Sequence, residues 1–173
     1  AASVDKDSLP NYLNNYVLLG YGNYNTLRAE VGVLENIGKN MYAGGLIKHR
    51  SSGGGIENVP VDDGYSRTHM NLVFGNKTEF KEWGINFGAN NSKYHWYGLD
   101  TSQPELSGLN YDNLDVTQKF QDVSLGGQMR FYRGAIETID TKYTYFWDAF
   151  SSKESRFYFK PKFNIELPKQ TVH

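Results

Sequence analysis

The sequence predicts an all-β protein whose antiparallel strands run up and down in order, and three observations carry that expectation. Apolar and polar residues alternate with period two through segments of about ten residues. Short clusters of Gly, Asn and other turn formers separate those segments. The composition, 15% aromatic with 13 Tyr, 10 Phe and 18 Gly, favours pleated strands and tight turns. At 173 residues the chain fits one domain of ordinary size.

The alternation gives about eight strands. The first, Tyr16 to Tyr24, and the third, Met41 to His49, are glycine-rich and less regular. The second places Leu27, Ala29, Val31 and Val33 on one face and Arg28, Glu30 and Gly32 on the other, because successive side chains of a strand point opposite ways. The fourth sets Thr68, Met70, Leu72 and Phe74 against Arg67, His69 and Asn71. The fifth opposes Trp83, Ile85, Phe87 and Ala89 to Gly84, Asn86, Gly88 and Asn90. In the sixth, Val123, Leu125, Met129 and Phe131 face away from Ser124, Gly126, Gln128 and Arg130. The seventh separates Tyr143, Tyr145 and Trp147 from Lys142 and Thr144, and the eighth separates Phe157, Phe159, Phe163, Ile165 and Leu167 from Tyr158, Lys160, Lys162, Asn164 and Glu166. A helical period would scatter every one of these sets.

The connections carry a second regularity. Turns at Asn36 to Asn40, around Gly75-Asn76-Lys77, and at Tyr132-Arg133-Gly134 are compact and share one end of the sheet. Long polar connections, Ser51 to Tyr65 through Gly53-Gly54-Gly55 and Asp100 to about Gln118, share the other end. The joint at Asn23-Tyr24-Asn25 is short although it belongs to the long-loop end. Residues 1–10 and 168–173 read as extended or disordered ends around a body spanning 11–167.

Composition also excludes. Lys+Arg 18 against Asp+Glu 19 leaves a net charge of −1, so no basic field holds nucleic acid, and none is expected as a partner. The absence of Cys removes disulfides, thiolate metal sites and cysteine nucleophiles. No apolar run approaches the roughly 20 residues of a membrane-spanning helix.

Alternation alone leaves open which face is wet. An eight-strand barrel has an interior only just wide enough for its side chains. The apolar set carries Trp83, Phe87, Phe131, Tyr143, Tyr145, Trp147, Phe157 and Phe159, too many rings for such an interior, so they are expected to face lipid. Tyr94 and Trp96, in the run Tyr94-His95-Trp96-Tyr97, fit an interfacial girdle. The opposite set, Arg28, Glu30, Arg67, Asn86, Gln128, Arg130, Lys160, Lys162 and Glu166, suits a satisfied polar lumen. With short turns at one end and long loops at the other, the expectation is an antiparallel up-and-down transmembrane β-barrel in a Gram-negative cell outer membrane, its partners being outer-membrane lipid, lipopolysaccharide and other envelope proteins. The alternative is a soluble, lipocalin-like β-barrel that carries a hydrophobic small molecule with its apolar set inside.

The chemistry-bearing motifs are sparse, and neither catalysis, a metal nor a cofactor is expected. His49, His69, His95 and His173 are scattered with no ligand spacing. Ser51-Ser52-Gly53-Gly54-Gly55 lacks the Gly-Lys-Ser/Thr ending of a phosphate cradle and reads as a loop. Asp62-Asp63 and Asp112 with Asp115 have the oxygens for Ca²⁺ without its loop spacing. The sequons Asn76-Lys77-Thr78 and Asn90-Asn91-Ser92 are discounted as short patterns. Arg28, Arg67, Arg130, Lys160 and Lys162 read either as inward bases that tune a pore for anions or as a ladder with Glu30 and Glu166 that rigidifies a packed lumen, the ladder being favoured.

Three stretches carry a resemblance. Asn14-Asn15-Tyr16-Val17-Leu18-Leu19-Gly20-Tyr21-Gly22-Asn23-Tyr24-Asn25-Thr26, Gly44-Gly45-Leu46-Ile47-Lys48-His49-Arg50-Ser51-Ser52-Gly53-Gly54 and Asn90-Asn91-Ser92-Lys93-Tyr94-His95-Trp96-Tyr97-Gly98-Leu99 resemble opening strands of TonB-dependent-receptor-like outer-membrane barrels. The likeness extends over residues 11 to 165 through loose motifs. It implies an outer-membrane location, many more strands than eight, and uptake of a bulky nutrient or membership of an envelope complex. The chain departs from the pattern in having no recognisable plug or energy-coupling box ahead of Tyr12 and in finishing Gln170-Thr171-Val172-His173 without a terminal aromatic. It therefore reads as a piece of a longer barrel or a small barrel in its own right.

Overall fold

The computed structural model describes residues 15–57, 59, 61–96, 98 and 115–164. They form eight strands: β1 (Asn15–Gly22), β2 (Thr26–Asn36), β3 (Met41–Ser52), β4 (Tyr65–Lys77), β5 (Lys81–His95), β6 (Thr117–Phe131), β7 (Ile136–Asp148) and β8 (Lys153–Phe163). Every strand pairs antiparallel with its neighbours in sequence, giving one up-and-down sheet in the order β1 to β8. The strand number and the up-and-down order match the expectation. The expected closure is not there. Among the described residues β1 bonds only to β2 and β8 only to β7, so no ladder joins the two edges, which closure of these eight strands would require.

The connections divide as the composition indicates. Residues 37–40, 78–80 and 132–135 turn at one end, and the β3–β4 and β5–β6 connections leave the sheet at the other. In the short β1–β2 turn, Tyr24 and Asn25 both take positive φ (59° and 50°), the I′ sense that matches strand twist. One expected turn is displaced. Gly75 and Asn76 continue β4, and the chain reverses at 78–80 instead. Gly75 is a glycine for a different reason: the Tyr42 ring of β3 lies across it, and a Cβ there would overlap both that ring and the Trp83 carbonyl. Tyr16 covers Gly32 in the same way.

Register fixes two faces. From β2 to β8 a row of Cα partners runs Val33, Gly45, Leu72, Phe87, Leu125, Tyr143, Phe157. The next row towards the loops runs Val17, Val31, Ile47, Met70, Ala89, Val123, Tyr145. These share the apolar face, and their large side chains stand in the open, with Leu125 at 56% and Phe157 at 69% exposure. The crowded side is the polar one, where Glu30, Gln118, Ser124 and Thr138 are all buried. The sheet therefore curls towards its polar face. Among the described residues Val116 is the only buried apolar side chain, so this single layer has no hydrophobic core of its own.

Candidate functional site

On the apolar face a band without formal charge spans the middle of β3 to β8. In β5 its charge-free positions run from Trp83 at the turn end to Asn91 at the loop end, eight residue steps apart. At roughly 3.4 Å per residue that is about 27 Å along the strand, comparable in scale with the roughly 25 Å apolar belt of membrane barrels. Trp83, Phe87, Phe131, Tyr143, Tyr145, Trp147, Phe157 and Phe159 all lie on this face by register. Three polar groups on this face find partners: Tyr143 Oη donates to Ser155 Oγ (3.2 Å), Trp147 Nε1 to Gln121 Oε1 (2.9 Å) and Thr141 Oγ1 to the Gly127 carbonyl (3.3 Å). Glu35, near the β2–β3 turn, is a charge on this face and accepts from Asn15 Nδ2.

Tyr94 departs from its expected place. The register puts it with Gln118 on the polar face, where its ring stacks on Phe120 (5.7 Å) and Phe120 on Phe146 (5.9 Å). These rings sit diagonally on adjacent strands, within aromatic reach. Trp96 lies beyond the end of β5, exposed, with its backbone N–H donated to the Val116 carbonyl, so it belongs to neither strand face.

Arg28, Glu30, Arg67, Asn86, Gln128, Arg130, Lys160 and Lys162 share the polar face, as expected; Glu166 and Tyr97 lie outside the described residues. The face is not evenly charged. Glu30 is buried and receives Arg28 (2.7 Å), Lys48 (3.9 Å) and Arg50 (4.0 Å). Beside it, His69 Nδ1 donates to Asn90 Oδ1 (2.6 Å) and Asn90 Nδ2 to Asp122 Oδ1 (2.9 Å), a polar chain across three strands. The anionic partner expected of Glu166 falls to Glu137 for Lys162 (2.8 Å). Lys48 and Arg50 escaped the sequence reading. They belong to β3, where adjacent apolar residues Leu46 and Ile47 blur the alternation.

At the loop end of this face lies a cleft of about 700 Å³ lined by Arg50, Arg67, Tyr24, Tyr65, Tyr94 and, from the β3–β4 connection, Gly54 to Ile56 and Asp63. The loop is tied in place from several sides. Asp63 accepts the backbone N–H of Ile56 (2.7 Å) and of Gly55 (3.0 Å), while Gly54 and Gly55 take the positive φ that this bend needs. The Ile56 amide, with Gly55 adding to it, holds the Asp63 carboxyl below its ordinary pKa against the opposing effect of desolvation. Buried His95 donates Nδ1 to the Gly64 carbonyl (2.7 Å) and places Nε2 3.5 Å from Asp62. Asp62 also accepts the Gly64 N–H (2.8 Å). The acidic pair thus holds main chain and histidine. Among the described residues no group of three or more His, Asp or Glu converges as a metal site.

No family model matches the chain. Neither does any curated protein or solved structure.

Proposed function

We propose that this chain is an integral outer-membrane β-barrel protein, or a strand segment of one, with a transport, receptor or envelope-structural role and no catalysis of its own. The observation that carries the reading is the one-sided sheet: a charge-free band of exposed Leu, Ile, Val and Phe, about 27 Å long in β5, backed by a face of ion pairs and amides. Hydrocarbon satisfies the first face, and a water-containing lumen satisfies the second. A soluble carrier would need the rings enclosed, and Phe87, Leu125, Phe157 and Phe159 instead face away from Glu30 and Arg67. In lipid an unpaired strand edge is costly, so β1 and β8 pair with one another or with further strands to close the barrel. The likeness of residues 14–26, 44–54 and 90–99 to TonB-dependent-receptor-like barrels supports closure with further strands. Lys93 and Lys119, Cα partners on the apolar face just beyond the band at the loop end, stand where lipopolysaccharide phosphates would meet them.

Fractionation of cells that produce the full gene product tests this. The protein should sediment with outer membranes and leave them only in detergent. Recovery as a monodisperse species in detergent-free buffer refutes it.

A further inference from the structure

We infer that the loop-end cleft is a binding site for a multiply charged oxyanion, a phosphate- or carboxylate-bearing ligand clamped by Arg50 and Arg67. Register lines up Arg28, Arg50 and Arg67 as successive Cα partners on one face of β2, β3 and β4. Like charges directly opposite on neighbouring strands repel, so an anion among such a row is favoured. The protein supplies one. Glu30 serves Arg28, Lys48 and Arg50 together, three cations to one carboxylate. Among the described residues no carboxylate lies within 4.0 Å of Arg67, and the sole carboxylate in the cleft wall, Asp63, is occupied by the amides of Gly55 and Ile56.

Arg67 and Arg50, the latter held only by its 4.0 Å contact with Glu30, each bring a fork of N–H donors to a cleft of about 700 Å³. That volume admits a ligand of many heavy atoms. Tyr24, Tyr65 and Tyr94 add rings and hydroxyl groups to the wall, so the ligand class extends to an anionic group carried on a flat or sugar-like body. The site lies on the polar face, away from the apolar band, and does not depend on what covers that band.

Calorimetric titration of the full chain, in whichever medium keeps it monodisperse, with inorganic phosphate, tripolyphosphate and citrate tests the site. Saturable binding that tightens with ligand charge is expected. Arg50→Gln and Arg67→Gln should each weaken it about tenfold or more, whereas Lys160→Gln with Lys162→Gln, on β8 of the same face, should leave it unchanged. Arg67→Lys keeps the charge without the fork and should fall between, which separates recognition from misfolding. Lipid A micelles that displace tripolyphosphate identify a lipid phosphate as the source; failure to displace it identifies a soluble anion. Absence of saturable binding, or equal binding by the Arg50 and Arg67 variants, overturns the assignment. Neither result bears on whether the protein sediments with membranes.

Discussion

A charge placed at the centre of the apolar face distinguishes lipid from water by the size of its effect. Leu125 pairs with Phe87 and Tyr143, has Leu72 and Phe157 next in the same row, and is 56% exposed. In hydrocarbon, Leu125→Arg should cost about 2–4 kcal/mol, the penalty for arginine near the midplane of a barrel's outer face. That shifts the folding equilibrium roughly 30- to 700-fold at 1.4 kcal/mol per tenfold. In water the same exposed position would change stability by no more than about 0.5 kcal/mol. Gln128→Arg is the internal control: the residue lies three positions on, faces the other way, is exposed, and has Asp140 as its Cα partner. Its expected effect is within about 0.5 kcal/mol. Urea titration of the protein folded into phosphatidylcholine vesicles, followed by tryptophan emission, measures both. Equal stability of Leu125→Arg and the parent protein, or a larger loss for Gln128→Arg, refutes the assignment of the faces.

Three further outcomes follow from particular contacts. Gly75→Ala should cost about 1–3 kcal/mol by overpacking against the Tyr42 ring and the Trp83 carbonyl, and adding Tyr42→Ala should restore only the part owed to the ring, as read from urea midpoints of the single and double variants. Asp63 has a folded pKa held below its unfolded value by the Ile56 amide, so the loop anchor is fully present above the ordinary carboxylate pKa and is lost as pH falls through the depressed one. The Ile56 amide resonance should therefore titrate with a midpoint below that of an unperturbed aspartate, and a midpoint at or above it counts against the anchor. Glu30→Gln removes the shared counter-ion of Arg28, Lys48 and Arg50; the variant should lose stability at low salt, regain it with added sulfate, and bind tripolyphosphate more tightly than the parent. Unchanged affinity for tripolyphosphate would separate Glu30 from the cleft.

Strand identity was legible where one face was purely apolar. In β5 and β6 the alternation of Trp83, Ile85, Phe87 and Ala89 and of Val123, Leu125, Met129 and Phe131 needs no partner to be read, because period two is a local property. Features that depend on register were not legible. Gly75-Asn76 has turn composition, yet the glycine answers to a tyrosine 33 positions earlier, and only the β3–β4 pairing brings the two together. Tyr94 has the chemistry of an interfacial ring, but its parity places it with Phe120 on the polar side. Arg50 was passed over for the same reason: its importance comes from standing between Arg28 and Arg67, residues 22 and 17 positions away, and sequence spacing carries no trace of that row.

The absence of a core among the described residues sets the terms for any account of this fold. Fixing a residue's backbone costs about 1–2 kcal/mol, and globular proteins offset that cost mainly by removing apolar surface from water. Here Leu19, Tyr21, Leu125, Phe157 and Phe159 remain exposed, so the sheet by itself leaves that offset unmade. Whatever covers them must reach from β1 to β8, present an apolar surface of its own, and follow the curve of the convex side. A protein layer meeting those demands would have to be as wide as the sheet and equally one-sided. On the proposed membrane reading a bilayer meets all three at once, and the Glu30 cluster and the His69–Asn90–Asp122 chain stand hydrogen-bonded on the face turned from lipid. The same logic requires the two open edges to be paired, so the membrane reading and the need for closure stand or fall together.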